Sequence, residues 1–285
     1  MFKENEMLKL SDLKEKSKKD LKVLLVYPQY PNTFWSFKGI LKFLNKKAAF
    51  PPLGLLTVAA MLPEKWDLKL IDMNVENLDD SDILSADAVF ISAMIVQKKS
   101  VREVIKRVKK LGRPVVAGGP LFTTGWEEFL DDVDSLVLGE AESNLELFLN
   151  DLSSGKVKKI YETGEFPSVS KTVNPKWDLI NMKHYNSMCL QISRGCPFNC
   201  DFCDIVKLNG RISRIKTGRK VVGELEALYR SGWKGGVFFV DDNLIGNQRI
   251  LENEILPAII EWQKKRKQPF LFNTQASIDL SDKPN

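Results

Sequence analysis

Histidine is almost missing from this chain: its 285 residues include one, His184. A lone histidine is more often a packing or surface residue than a ligand. Cysteine is scarce too, at four. Four in a chain of this length do not make the disulfide framework of a small secreted scaffold. No apolar run is long enough for a membrane span, which needs about 20 residues. The longest, Ala48 to Leu62, is broken by Pro51, Pro52 and Gly54. The first twenty residues are rich in Lys and Glu and lack the apolar core of a signal peptide. Net charge is only +5, with the excess scattered, which leaves no nucleic-acid footprint. The run Lys264-Lys265-Arg266-Lys267 reads as a solvated helix end. No fixed-period repeat and no low-complexity tract occurs. These absences predict a cytoplasmic protein in a reducing compartment, with no transmembrane segment and no nucleic-acid partner.

What is present suits a globular protein of one large or two ordinary domains, with 44% hydrophobic and 28% charged residues. Residues 1–20 read as a charged lead-in, poorly ordered or loosely helical. From 21 to 152, short apolar runs alternate with helical stretches. Leu21–Tyr27, Leu68–Ile71, Ala88–Ser92, Pro114–Ala117 and Ser135–Leu138 are predicted strands, each followed by a turn signal. Leu53–Leu62, Val101–Leu111 and Ala141–Leu152 are predicted helices; Ser100 stands at an N-cap position and Gly112 just past an end. Alternation of this kind predicts an α/β, doubly wound, open parallel sheet. Ligands of such sheets bind at the carboxyl ends of the strands. Those ends carry Asn74, Ser92, Gly118-Gly119 and Gly139-Glu140. Glycine there lets a ligand approach the backbone, although Gly118-Gly119 is equally readable as a plain turn.

Residues 153–185 lose periodicity and read as a linker. Residues 186–285 then resume the strand–helix pattern. Strands are expected at Met188–Ile192, Val237–Val240 and Phe270–Thr274. Helices are expected at Val221–Tyr229 and Ile250–Lys265, the second kinked or restarted by Pro257.

Between the first strand and first helix of this half lies Ser193-Arg194-Gly195-Cys196-Pro197-Phe198-Asn199-Cys200-Asp201-Phe202-Cys203. Three thiolates on one loop are the right number for three irons of a 4Fe–4S cube, leaving the fourth iron open. A structural zinc site would want four closed ligands, usually as two separated pairs. The second pair is missing here, and Cys189 or His184 would have to stand in.

The C-x3-C-x2-C spacing, with Phe202 before the last cysteine, resembles the radical S-adenosylmethionine (SAM) enzymes. The resemblance implies that Cys196, Cys200 and Cys203 ligate the cluster, with Phe202 beside cluster and adenine. It implies that Asp241 and Asp242, at the next strand end, take the place of the motif that binds the SAM amino group. SAM would then be cleaved to a 5′-deoxyadenosyl radical, with an electron donor such as flavodoxin or ferredoxin. The first half sharpens the family. Asn32–Phe37, Ala49–Gly54, Val116–Pro120 and Gly139-Glu140-Ala141-Glu142 resemble the cobalamin-binding radical SAM subgroup that includes hopanoid methylases. That resemblance implies a Rossmann-like, flavodoxin-type cobalamin domain at 21–152, with Asn74, Ser92, Gly118 and Gly119 at the cobalamin. It implies that 186–285 is the N-terminal half of a radical SAM (β/α) TIM-like barrel. The motif Asp-x-His-x-x-Gly is replaced by Asp72-Met73-Asn74-Val75-Glu76, so cobalamin is expected without a histidine on cobalt.

The implied activity is methyl transfer to an unactivated carbon of a small-molecule or lipid-like substrate. A non-methylating cyclisation or rearrangement, and a non-catalytic cluster- or cobalamin-binding fragment, are the competing readings. Three strands in place of the family's six or more lead to the expectation of a C-terminally truncated barrel.

Overall fold

The computed structural model describes residues 8–282. Six short strands form one all-parallel sheet: β1 (Lys22–Tyr27), β2 (Asp67–Asp72), β3 (Ala88–Ser92), β4 (Val115–Gly118), β5 (Ser135–Val137) and β6 (Ile160–Tyr161). Their spatial order is β2-β1-β3-β4-β5-β6. The chain therefore reverses direction between β1 and β3, which opens a crevice at their carboxyl ends. The inner strands are covered on both faces, which is why they read as unbroken apolar runs. Val23, Leu25 and Tyr27 enter one core, Leu24 and Val26 the other, as the two-residue period of a strand requires.

Helix α1 (Leu53–Met61) and helix α3 (Ala141–Ser154) cover one face, through Leu55, Leu56, Leu145 and Phe148. Helix α2 (Lys98–Lys110) covers the other, through Val101, Val104, Ile105 and Val108. Each such side chain, when fully buried, contributes about 1.5–3 kcal/mol. The expected cap at Ser100 is displaced. A 3₁₀ turn at Ile95–Gln97 runs straight into α2, so Gln97 is the cap residue. The Ser100 hydroxyl instead accepts the Gln29 N–H at 3.0 Å. The lead-in is helical over Leu10–Ser17, with Leu10 and Leu13 buried in the core. Its residues 1–7 lie outside the described residues.

The stretch expected as a linker supplies β6, which pairs Ile160 with Leu136 and Tyr161 with Val137. Two residues are too few to show a period. Trp177, near the end of the stretch, is buried in the core.

The second half builds a smaller parallel sheet. Strand β7 (Ser187–Leu190) leads to a short antiparallel pair, β8 (Ser193–Arg194) and β9 (Arg214–Ile215). Helix α4 (Gly218–Arg230), strand β10 (Gly235–Phe239), helix α5 (Leu256–Lys265) and strand β11 (Phe270–Thr274) follow, with sheet order β11-β10-β7. A π turn at Leu251–Ile255 precedes α5, and Pro257 sits in its first turn, where its missing N–H costs nothing. The two sheets share one core: Met188, Leu190 and Val237 cluster with Leu55, Leu56 and Phe90. The backbone also stitches them, since Ser187 N–H donates to Ala49 O at 3.1 Å. Among the described residues no helix is long and apolar enough to cross a membrane.

Candidate functional site

A cavity of about 490 Å³ opens at the carboxyl ends of β3, β4 and β5. Its floor includes Ser92, Gly118 and Gly119, and the side toward the second sheet includes Arg194, Asn209 and Asp242. The glycine pair is more than a turn. Gly119 has φ +86°, and a Cβ there would stand 2.5 Å from Ser92 Oγ; a Cβ on Gly118 would stand 2.7 Å from the Val137 carbonyl oxygen. Both positions therefore demand a bare backbone. Asn74 is elsewhere. Its side chain accepts from Tyr30 N–H at 2.8 Å and donates to Asp72 Oδ1 at 2.7 Å, and it is not among the cavity-lining residues. It ties the ends of β1 and β2 together, with Tyr185 donating to the same aspartate.

The cysteines lie on the loop between β8 and β9. Gly195 enters it with φ +97°, and a Cβ there would run into the Ile212 carbonyl. Cys196 N–H donates to Gly210 O at 3.1 Å, and Cys203 N–H to Cys200 O at 3.0 Å. All three thiols are free; Cys196 is half-buried, while Cys200 and Cys203 are exposed. Phe202 is 92% exposed and reaches into solvent. Among the described residues no three His, Cys, Asp or Glu side chains stand close enough together to grip a metal. The loop thus brings its thiols near one another in sequence but does not draw them into a triad. Cys189 is buried in β7, with its thiol pushed up by burial. His184, half-buried, offers its backbone carbonyl to Lys47 and Ala48.

The two aspartates after β10 both hold this loop. Asp241 is buried and accepts from Ile192 N–H, Ser193 N–H and Ser193 Oγ–H. Asp242 accepts from Gly195 N–H and from Asn209 Nδ2, each at 2.9 Å. Asp242 borders the cavity; Asp241 does not. Burial pushes the Asp241 carboxyl up to about 6, against the opposing hydrogen bonds from Ser193 and Ile192. An unfolded-chain aspartate sits near ~3.9. The folded state therefore binds more protons between those values. Its contribution to stability is fully present below about pH 4 and is lost as pH rises through about 6. Denaturant midpoints measured across that window should show a smaller pH slope in Asp241→Asn than in the parent. Equal slopes would contradict the assignment.

Four charged residues that sequence reading passed over, or took only as strand-end or motif positions, organise the site. Arg194 donates to Glu140 at 2.8 Å and to both oxygens of Glu142 at 2.9 and 3.0 Å. Arg214 donates to both oxygens of Glu140. These side chains are largely buried, at 15% for each arginine, 6% for Glu140 and 9% for Glu142. Burial alone would raise Glu142, but Arg194 outweighs it and holds the carboxyl below its usual range. Beyond them Lys216 and Glu224 form a buried pair at 2.7 Å that also borders the cavity. Burial pulls Lys216 down and pushes Glu224 up.

The B12 binding domain family matches residues 44–149. That range holds β2 to β5 and the glycine floor of the cavity. A protein of Synechocystis named as an uncharacterized methyltransferase is 44% identical over 263 residues, covering 92% of this chain and 49% of the relative. The hopanoid C-2 methylase of Rhodopseudomonas palustris is 31% identical over 268 residues, covering 92% of this chain and 50% of that protein. The chain thus spans about half the length of these curated relatives. Among solved structures, the cobalamin-dependent SAM radical enzyme OxsB with aqua-cobalamin bound superposes with a TM-score of 0.72 at 19% identity. That match covers 96% of this chain and 41% of OxsB, and it speaks for the fold.

Proposed function

We propose that the chain is a member of the cobalamin-binding radical SAM proteins, as its B12 binding domain match and its likeness to a hopanoid C-2 methylase support, and that its site cleaves SAM at a 4Fe–4S cluster beside a bound cobalamin. On this reading the activity is methyl transfer to an unactivated carbon of a small or lipid-like molecule. One observation carries this reading: the glycine-floored cavity of the first sheet is bordered by the cysteine loop and its stem, through Asn209 and Arg194, and by Asp242, which holds that loop.

The residues fit both groups. Three free thiols within eight residues are the donor set for three irons, with a fourth left open for SAM. The bare backbone at Gly118 and Gly119, where a Cβ would fill the cradle, suits close approach of a large planar cofactor. When bound, these groups supply electron transfer, radical generation and methyl carriage. The chain's own part is to hold and shield. Asp241 and Asp242 fix the stem of the loop, and the glycines admit the cofactor. On this reading Asp242 faces SAM, which its position on the cavity wall supports. Asp241 serves by position. Phe202, exposed on the loop, is free to close over adenine. An electron donor such as flavodoxin or ferredoxin would supply the electron. A cytoplasmic location agrees with thiols kept reduced.

Isotope labelling tests the activity. Reduced, loaded protein given SAM with a labelled methyl group should release 5′-deoxyadenosine and pass label to the substrate. Release of 5′-deoxyadenosine without a methyl gain in the product mass would overturn the methyl-transfer part. No 5′-deoxyadenosine at all would overturn the radical SAM part.

A further inference from the structure

Glu140 and Glu142 border the cavity, yet their oxygens are taken up by Arg194 and Arg214. The two arginines are direct cross-strand partners on the β8–β9 pair. Everything between them, residues 195–213 with the three cysteines and a short helical turn at Ile205–Asn209, hangs from that pair. Glu140 reaches both arms of it, and Glu142 adds a two-pronged grip on Arg194. Two guanidinium groups side by side repel each other unless a carboxylate stands between them.

We propose that Glu140 and Glu142 are positioning residues: they clamp the two arms of the cysteine loop to the end of β5 and the first turn of α3, and thereby fix the backbone that carries Cys196. The transmission is short. Arg194 is followed by Gly195 and then Cys196. Gly195 is packed so closely on Ile212 that it has no space for a side chain, and its N–H is held by Asp242. Cys196 N–H is held in turn by Gly210 O. With no slack at Gly195, displacement of Arg194 moves Cys196. Only arginine can make the two-pronged contact, since lysine carries a point charge rather than a fork. The functional meaning of the clamp rests on the cysteines being cluster ligands, but its geometry does not.

The test uses the cofactor-free chain first. Alkylation by iodoacetamide is followed at each cysteine by mass spectrometry in the parent, Arg194→Gln, Glu142→Gln and the double variant. The half-buried Cys196 should react severalfold faster in each single variant, and no faster again in the double variant. Cys189, buried in β7, reports on the fold and should stay protected in all four. The chains are then loaded anaerobically with iron and sulfide and reduced. The g-values of the cluster should differ between parent and each single variant. An unchanged Cys196 rate overturns the clamp, as does a Cys189 rate that rises in step with it, or identical g-values. Failure of the parent to take up iron and sulfide would instead overturn the cluster reading, and the alkylation rates would still decide the clamp.

Discussion

Cys203→Ser should leave the fold intact and remove the cluster. The Cys203 side chain is exposed, and its backbone makes only a local bond to Cys200. Nothing in either core depends on it. Melting temperature should therefore match that of the parent. Iron retention should not. A cube held by three thiolates has no spare protein thiol, because the remaining cysteine, Cys189, is buried in β7. After anaerobic reconstitution and desalting, iron and sulfide should fall to background, with the visible absorbance of the cluster and SAM cleavage lost together. Cys189→Ser is the contrasting substitution. It places a hydroxyl in a buried strand, so it should lower the melting temperature while leaving iron binding unchanged. Full iron retention by Cys203→Ser would remove Cys203 from the ligand set.

Gly119→Val should abolish cobalamin binding. Two costs fall on the same residue. At φ +86° and ψ −177° the backbone lies in a region essentially reserved for glycine, which costs a side chain roughly 1–3 kcal/mol before contacts are counted. The Cβ would also meet Ser92 Oγ well inside contact distance, and a β-branched side chain has few rotamers with which to escape. Relief requires the Ser92 end of β3 and the Gly119 turn to separate, which reshapes the floor on which the cofactor would rest. Titration with hydroxocobalamin, read by absorbance after gel filtration, should show binding by the parent and none by Gly119→Val. Gly39 is a control: a Cβ there meets nothing within 4 Å, and Gly39→Ala should bind as the parent does. Parent-like binding by Gly119→Val would place cobalamin somewhere other than this floor.

Much of this architecture is legible in the chain because it is local. The run from Leu21 to Tyr27 declares a doubly buried strand, and the pattern of Val101, Val104, Ile105 and Val108 declares a helix face. The cysteine loop is legible for the same reason: the three proposed ligands lie within eight residues. What escapes is whatever depends on distance along the chain. Arg194 and Glu140 are 54 residues apart, and Arg214 and Glu140 are 74 apart. No periodicity links them, so the clamp is visible only once the two sheets are assembled. β6 is missed because two residues carry no pattern. Asn74 and Asp241 show a different limit. Their places at strand ends are readable, but the direction of a side chain is not. Asn74 turns back to Asp72, and Asp241 turns toward the stem of the loop. Ser100 looks like a cap by composition, yet the preceding 3₁₀ turn has already started the helix.

The claim on which the rest depends is that the cysteine loop and the strand-end cavity are parts of one site. Electron paramagnetic resonance of the chain loaded anaerobically with iron, sulfide and cobalamin, then reduced to hold a paramagnetic cluster beside cob(II)alamin, tests it most directly. The expected result is about four irons and about one cobalamin per chain, with the two signals split by mutual spin coupling. Absence of cobalamin absorbance, zinc in place of iron, or two signals that ignore each other would contradict it.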